Sequence, residues 1–321
     1  MSTAIDYRPS QPNIRSRNHY TQLHLQNTNH SIELTDFTTS PPPPAYTEQA
    51  QSNSSSTHPP PFLTLQIETP GKPIISLPLP PHPDPIPIYL LDPSSQEPTT
   101  TPKFISLRPS RTSGSSYLVP ANSPSTILST TTYRFGPGKP PRVRLFHPCS
   151  PSSTEEDDTS SSSFEILSTG LFTRAVRFQP PGLLPTSTPT SSASSHTDNE
   201  KSFFTWRYAT KKERKSLSNT ISSLLILEIK KPIHNGEAAT IPIARFIRSA
   251  EFRTKGSSVS SAGNGGRLEI LDLDKAGWGE KVDRETALVM VVTTGLVMLK
   301  REVDRRRAGQ IAVLAGGASG G

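Results

Sequence analysis

A run of thirteen uncharged positions, Ala287 to Leu299, is the strongest hydrophobic feature of the chain. At about 100° per residue, its apolar side chains cover the whole circumference of a helix. They are Leu288, Val289, Met290, Val291, Leu296, Val297 and Met298. A helix that is apolar on every side must be buried, and thirteen residues fall short of the roughly 20 that cross a bilayer. The pattern therefore predicts a core helix and no transmembrane span.

Charged residues on both sides of this run agree with the direction of a helix dipole. Asp283 can cap the N-terminus and Glu285 lies in the first turn, whereas Arg305 to Arg307 lie where the helix would end. A second interpretation stays open, because many of the apolar residues are β-branched and Thr293-Thr294-Gly295 would suit a turn between two strands. Residues 283–307 are thus predicted to be a helix, with a hairpin as the alternative.

Short apolar segments separated by turn residues predict many antiparallel strands before that helix. Phe62 to Leu79 is predicted to be a hairpin that turns at Pro70-Gly71-Lys72. The other predicted strands lie in 86–92, 103–109, 125–135, 142–148, 164–178, 201–209, 224–229, 241–254 and 267–274, and those in 125–148 form the clearest hairpin. The strand at 201–209 should have an aromatic face. The predicted fold class is α+β, mainly β, with antiparallel strands curled or closed around a buried C-terminal helix.

Polar and proline-rich stretches interrupt these strands. Only 32% of the 321 residues are hydrophobic and 34 are proline, so much of the chain cannot bury enough apolar surface to offset its ordering entropy. We expect residues 1–60 to be a disordered tail, 61–315 a β-rich domain with disordered inserts at about 148–163 and 180–200, and 316–321 a flexible tail. The N-terminus lacks the apolar run of a signal peptide, which predicts a cytoplasmic or nuclear protein.

The residue types that perform catalysis or bind metals form no recognisable motif in the sequence. The eight histidines have no HExxH or HxxxH spacing, no GxSxG elbow occurs, and the single cysteine is Cys149. The glycines of Gly263 to Gly266 precede a predicted strand, whereas a phosphate loop leads into a helix. We therefore expect a non-enzymatic protein with no catalytic residues, metal site or cofactor.

The predicted tail contains the run Pro41-Pro42-Pro43-Pro44-Ala45-Tyr46. Consecutive prolines favour a polyproline II helix, which is already extended and loses little entropy when it docks in an aromatic groove. Pro43, Pro44 and Tyr46 have the PPxY spacing that WW domains bind. The run predicts an adaptor that presents this motif to a WW-domain protein such as a HECT-type ubiquitin ligase. A proline-rich linker that binds nothing is the alternative.

The net charge of +7 favours contact with phosphate groups. No recognisable nucleic-acid-binding module accompanies that charge, which argues against nucleic acid as a partner. Lys211, Lys212, Arg214 and Lys215 lie in one basic turn, and Arg245 and Arg248 follow on a later strand. On one exposed face they would form an anionic-lipid patch worth about 1 kcal/mol per residue, and the protein would be peripheral at a membrane. The alternative is a solvated basic face.

The segment from Phe203 to Ala315 also carries a family resemblance. It contains FTWRYA, KKERK, LLILEI, RFIRSAEFRT, SSAGNGGRLEI and a terminal LKREVDRRR. In these features it resembles uncharacterised proteins of filamentous fungi, which in turn are similar to the tubby-like superfamily, including tubby C-terminal, scramblase-like and LURP-one-related proteins. That resemblance implies a β-barrel threaded by a hydrophobic C-terminal helix. It implies no catalytic residues, and it suggests phosphoinositide binding through lysine and arginine.

Overall fold

The computed structural model describes residues 60–71, 83–110, 112–134, 139–146, 163–170, 173–184, 202–232, 238–257, 263–274, 278 and 282–317. These residues belong to one compact unit, Ser55–Gly321. Two helices, α1 (Lys211–Leu217) and α2 (Arg284–Gly317), accompany the strands. The strands are β1 (Leu63–Ile67), β2 (Ile86–Leu91), β3 (Pro98–Leu107), β4 (Ser115–Pro120), β5 (Ser129–Thr132), β6 (Arg142–Leu145), β7 (Ser163–Glu165), β8 (Leu167–Ser168), β9 (Val176–Phe178), β10 (Phe203–Tyr208), β11 (Ile221–Pro232), β12 (Ala238–Ser249) and β13 (Gly266–Ile270).

All of these strands belong to one antiparallel sheet, in the order β7-β6-β5-β4-β3-β2-β1-β13-β12-β11-β10-β9-β8. β1 joins the two halves, because Leu65 pairs with Leu90 of β2 and with Leu268 of β13. β7 and β8 stand at opposite ends of this order, yet only Ile166 separates them along the chain. The sheet therefore returns to itself through one buried residue and forms a nearly closed, barrel-like structure.

The first turns of α2 fill the inside of this sheet. Ala287, Met290, Val291, Val292 and Val297 have no exposed surface. Leu288, Val289, Met298 and Leu299 are each at most 6% exposed. Over the uncharged run the helix is therefore buried around almost its whole circumference, with Leu296 half-buried. The predicted core helix is confirmed, and the hairpin alternative is wrong. Asp283 caps this helix by accepting a hydrogen bond from Thr286 N at 2.7 Å.

Two buried hydroxyl contacts connect α2 to the inner face of the sheet. Thr293 Oγ1 lies 2.6 Å from Ser129 Oγ of β5. Thr294 Oγ1 accepts a hydrogen bond of 3.0 Å from Trp206 Nε1 of β10, and it donates to Met290 O within the helix at 2.9 Å. Because unpaired buried polar groups are costly, these contacts restrict how the helix rotates and slides inside the sheet.

The predicted aromatic face of β10 points into the core, where Phe204 and Trp206 have no exposed surface. A row of stacked rings runs from Phe164 of β7 through Phe178 of β9 and Phe204 to Trp278, with centroids 5.3–5.5 Å apart. This row crosses the point where β7 and β8 meet. Ring stacking therefore supports the sheet where its hydrogen-bonded ladder is shortest.

The predicted mainly β fold class is confirmed, and so is the hairpin in 125–148, since β5 pairs with β6. The hairpin predicted for Phe62 to Leu79 is wrong. β1 has the expected position, but β2 and β13 occupy both of its edges, and a strand has only two edges for hydrogen bonding. The second arm of that predicted hairpin, 74–79, lies outside the described residues.

The predicted C-terminus of the long helix is also wrong, because α2 continues past Arg307 to Gly317. Residues 308–317 contain no proline and include alanine, leucine and glutamine, which favour helix. Arg305 to Arg307 therefore lie inside the helix and not at its C-terminal dipole. Among the described residues, no helix combines the length and apolar character that crossing a bilayer requires.

Most of the predicted tail and inserts lie outside the described residues. Leu183 and Leu184, at the start of the second predicted insert, are 1% and 6% exposed and belong to the core. Folded structure therefore extends at least to Leu184.

Met290→Ala should lower the free energy of unfolding by roughly 2–5 kcal/mol, because it leaves a cavity inside the sheet while alanine keeps the helix propensity high. Urea unfolding followed by circular dichroism measures the change in the free energy of unfolding. Arg305→Ala, at an exposed position of the same helix, is the control and should change stability by about 0.5 kcal/mol or less. Equal effects of the two changes would contradict the buried position of α2.

Candidate functional site

The predicted basic turn is a seven-residue helix, α1, on the outside of the sheet. Its N-cap, Thr210, accepts a hydrogen bond from Glu213 N at 3.3 Å, and Glu213 Oε2 accepts one from Thr210 N at 2.7 Å. This reciprocal pair is a capping box, which satisfies two backbone donors at the start of the helix. The spacing of Thr210 and Glu213, a threonine three residues before a glutamate, is the sequence signal for this helix.

A second, smaller apolar cluster lies beneath α1 on the outer face of the sheet. Leu217 of α1 and Phe252 pack there against Ile221, Leu224, Ile226 and Ile247 of β11 and β12. β11 therefore contributes apolar side chains to both faces of the sheet, which explains its continuous apolar sequence. The cluster holds α1 against the outside of the sheet.

Arg207 of β10 binds α1 to the sheet through two carboxylates. Its Nη2 donates to Glu213 Oε1 at 2.7 Å and to Glu228 Oε1 at 2.5 Å, and its Nη1 donates to Glu213 Oε2 at 2.9 Å. The Arg207 hydrogen bonds lower the pKa of Glu213 to about 2, against the opposing effect of partial burial. This network fixes one side of α1.

The basic residues of α1 differ in how far they reach solvent. Lys211, Lys212 and Lys215 are exposed. Arg214 is half-buried, and its Nη1 donates to Ser222 O at 3.0 Å. The three lysines therefore form the accessible part of the predicted patch, and we call them the α1 lysines.

The two strand arginines of the predicted patch are buried. Arg245 is 6% exposed and Arg248 is 9% exposed. Arg248 Nη1 forms an ion pair of 2.5 Å with Glu302 Oε2 of α2. Arg245 pairs across strands with Glu269, and burial lowers the pKa of this arginine and raises that of Glu269. The six predicted residues do not share one exposed face. Arg248 instead holds a structural ion pair, and Arg245 lies buried opposite Glu269.

A cavity of about 160 Å³ lies at one end of the sheet, beside the last turn of the uncharged run of α2 and the turn that follows it. Its apolar walls include Leu296, Leu299 and Val303 of α2. Its polar lining includes Ser106, Arg108, Ser116, Tyr133 and Lys300. The sequence does not reveal this site, because the residues that line it come from segments that are distant in the chain. The sequence contains only a weak signal for such a site: polar residues occupy strand positions at which alternation predicts an inward side chain.

The polar lining of the cavity is internally connected. Tyr133 hydrogen-bonds with Ser116, and burial raises the pKa of the phenol well above its usual value. Lys300 Nζ lies 5.1 Å from the centre of the Tyr133 ring and donates to both carboxylate oxygens of Asp304 at 2.5 Å. Arg108 donates through Nε and Nη2 to Ser113 O at 3.0 and 2.7 Å. These contacts fix the orientation of each group.

The glycines of Gly263 to Gly266 are needed for close packing. A Cβ on Gly265 would collide with Ile67 O, and one on Gly263 would collide with the Val303 side chain. Gly263 also has a φ of +69°, which favours glycine. Gly265 N donates to Thr69 O at 3.0 Å. This segment therefore allows close packing of the start of β13 against β1 and against the turn of α2 that contains Val303.

The PPxY residues Pro43, Pro44 and Tyr46 lie outside the described residues. Among the described residues, no group of three or more histidine, cysteine, aspartate or glutamate side chains could hold a metal ion.

Comparison of the chain with protein-family models, curated proteins and solved structures finds no match.

Glu213→Gln should lower stability near pH 7 and have little effect near pH 2. The pKa of Glu213 is about 2 in the folded protein and roughly 4.3 in an unfolded chain. The carboxylate therefore stabilises the fold above the unfolded pKa, and this contribution disappears as the pH falls through about 2. Since the side chain is 36% exposed, solvent screening limits the effect to about 1 kcal/mol or less.

Urea unfolding at both pH values tests this expectation. Glu97→Gln is the matched control, because Glu97 is exposed and its side chain forms no ion pair among the described residues. A loss of stability that is the same at both pH values would exclude the Arg207 contact as its cause.

Proposed function

We propose that the protein is a non-enzymatic adaptor that presents Pro43, Pro44 and Tyr46 to WW-domain proteins, such as HECT-type ubiquitin ligases. The sequence Pro41 to Tyr46 carries this proposal. Its prolines stack on the aromatic ridges of a WW domain, and its tyrosine enters a second pocket. A cytoplasmic or nuclear location is part of the proposal.

The folded domain supports this proposal through the position of its first strand. The motif precedes β1, so the sheet forms from residues that follow it. Binding of the motif therefore uses none of the residues that form the described strands. We further propose that the domain is tubby-like, because a nearly closed sheet around α2 agrees with the architecture that the resemblance implies.

Tyr46→Ala should weaken binding of the full chain to an isolated WW domain by roughly 30-fold or more, since an aromatic anchor of this kind contributes about 2 kcal/mol. Isothermal titration calorimetry measures the loss. Tyr20→Ala is the matched control, because Tyr20 lies in the same N-terminal stretch without a preceding proline pair. Binding that survives Tyr46→Ala undiminished would reject the adaptor role.

A second candidate function is binding to an anionic membrane surface through the α1 lysines, including surfaces that contain phosphoinositides. The observation that favours it is the exposure of Lys211, Lys212 and Lys215 on a short helix. Glu213, the acidic residue among them, is paired with Arg207 and so does not neutralise the lysines directly. Each lysine would contribute about 1 kcal/mol near an anionic surface.

Reversing two of these charges, with Lys211→Glu and Lys215→Glu together, should weaken vesicle binding at least about 30-fold, because two attractive terms of about 1 kcal/mol are removed. Sedimentation would use vesicles of phosphatidylcholine alone, with phosphatidylserine, and with a phosphatidylinositol bisphosphate. Lys103→Glu with Lys139→Glu is the control, since both lysines are exposed elsewhere and the net charge changes equally. An equal loss of vesicle binding in both double variants would show that only the net charge matters, and it would contradict binding through the α1 lysines.

A further inference from the structure

The cavity at the end of the sheet exists because two inward strand positions hold serine, whereas the next inward position on each strand holds a large apolar residue. In β3, the inward residue before Ser106 is Phe104, which is 1% exposed. In β4, the inward residue after Ser116 is Leu118, which is 2% exposed. Alternation places each serine on the same face as its apolar neighbour. A leucine at either position would fill space that serine leaves open, so the cavity follows from the choice of side chain.

The two sides of the cavity have different chemistry. α2 supplies an apolar wall from Leu296, Leu299 and Val303. The opposite side carries hydrogen-bond donors from the ends of β3, β4 and β5. They are Ser106, Arg108, Ser116 and Tyr133. A ligand that fits must therefore combine an apolar body with a group that accepts hydrogen bonds.

The charges around the cavity favour a single negative charge on that accepting group. Lys300 is neutralised by Asp304, and Asp84 lies on the exposed rim, where water screens it. Arg108 donates to the Ser113 carbonyl and forms no ion pair with a carboxylate among the described residues. Its charge is thus held in place without an acidic partner.

We propose that this cavity binds a small monocarboxylate with an apolar body. The carboxylate lies against the guanidinium of Arg108 and the neighbouring hydroxyl groups, because arginine recognises carboxylates through its planar set of donors. The apolar body lies against α2. A cavity of about 150 Å³ is large enough for benzene, so a volume of about 160 Å³ accommodates one aromatic ring or a short aliphatic chain.

Titration of the full chain with benzoate, hexanoate and benzyl alcohol tests the ligand class, with ligand-observed NMR as the readout. Benzoate and hexanoate should bind, and benzyl alcohol should bind at least tenfold more weakly because it lacks the charge. Arg108→Gln should reduce benzoate affinity to that of benzyl alcohol while leaving benzyl alcohol affinity unchanged. No benzoate binding, or equal binding of benzoate and benzyl alcohol by the wild-type protein, would overturn the proposal.

Filling the cavity tests the location. Ser116→Leu should abolish benzoate binding, whereas Ser115→Leu should retain it, because Ser115 is its neighbour on the same strand and approaches Thr132 on the outer face. Thermal unfolding of both variants shows whether they fold, and Ser106→Leu replaces Ser116→Leu if that variant does not. Benzoate binding that persists in a folded cavity-filling variant would overturn the assignment.

Discussion

Everything in this domain depends on burying the uncharged run of α2. An amphipathic helix could lie on a sheet with one face in water, but the run from Ala287 to Leu299 has no polar face to expose. A sheet that surrounds the helix satisfies this requirement with the inner faces of its strands. The outer faces are then free to be polar, which is how a chain that is only 32% hydrophobic supports so large a sheet. The connection through Ile166 also brings the two edge strands, β7 and β8, next to each other in the chain, and both are short, which limits the exposed edge.

A helix that is apolar all round creates a second problem, since nonpolar packing alone distinguishes poorly between its possible rotations. Two buried hydroxyl groups solve it. Thr293 contacts Ser129 on one side of the sheet, and Thr294 contacts Trp206 on another. A rotation or slip of α2 would leave the buried Trp206 Nε1 without its acceptor and would separate Thr293 from Ser129, at a cost of about 1–3 kcal/mol for each buried group left unpaired. Adjacent threonines that look like a turn signal in the sequence are therefore the residues that set the position of the helix.

The sequence was most informative where one physical requirement dominated. The uncharged run predicted α2, and alternation predicted β10 with its inward Phe204 and Trp206. Which strands pair with each other was harder to predict, because β1 and β13 are adjacent in the sheet and about 200 residues apart in the chain. β4 was missed because its sequence, Ser-Ser-Tyr-Leu-Val-Pro, is short and has no sustained apolar alternation. α1 was interpreted as a turn although Thr210 and Glu213 have capping-box spacing, and no local signal marks Arg248 as the partner of Glu302.

The distribution of charge shows why a net charge of +7 says little about binding. Arg207 and Arg248 hold α1 and α2 to the sheet through glutamates, so their charges are already compensated. The α1 lysines stand on an exposed helix with their capping glutamate held by Arg207. Arginine suits the first role because its planar group can bridge two carboxylates, whereas lysine suits the second because its flexible stem keeps the charge in water. Structural and accessible cations therefore differ in residue type as well as in position.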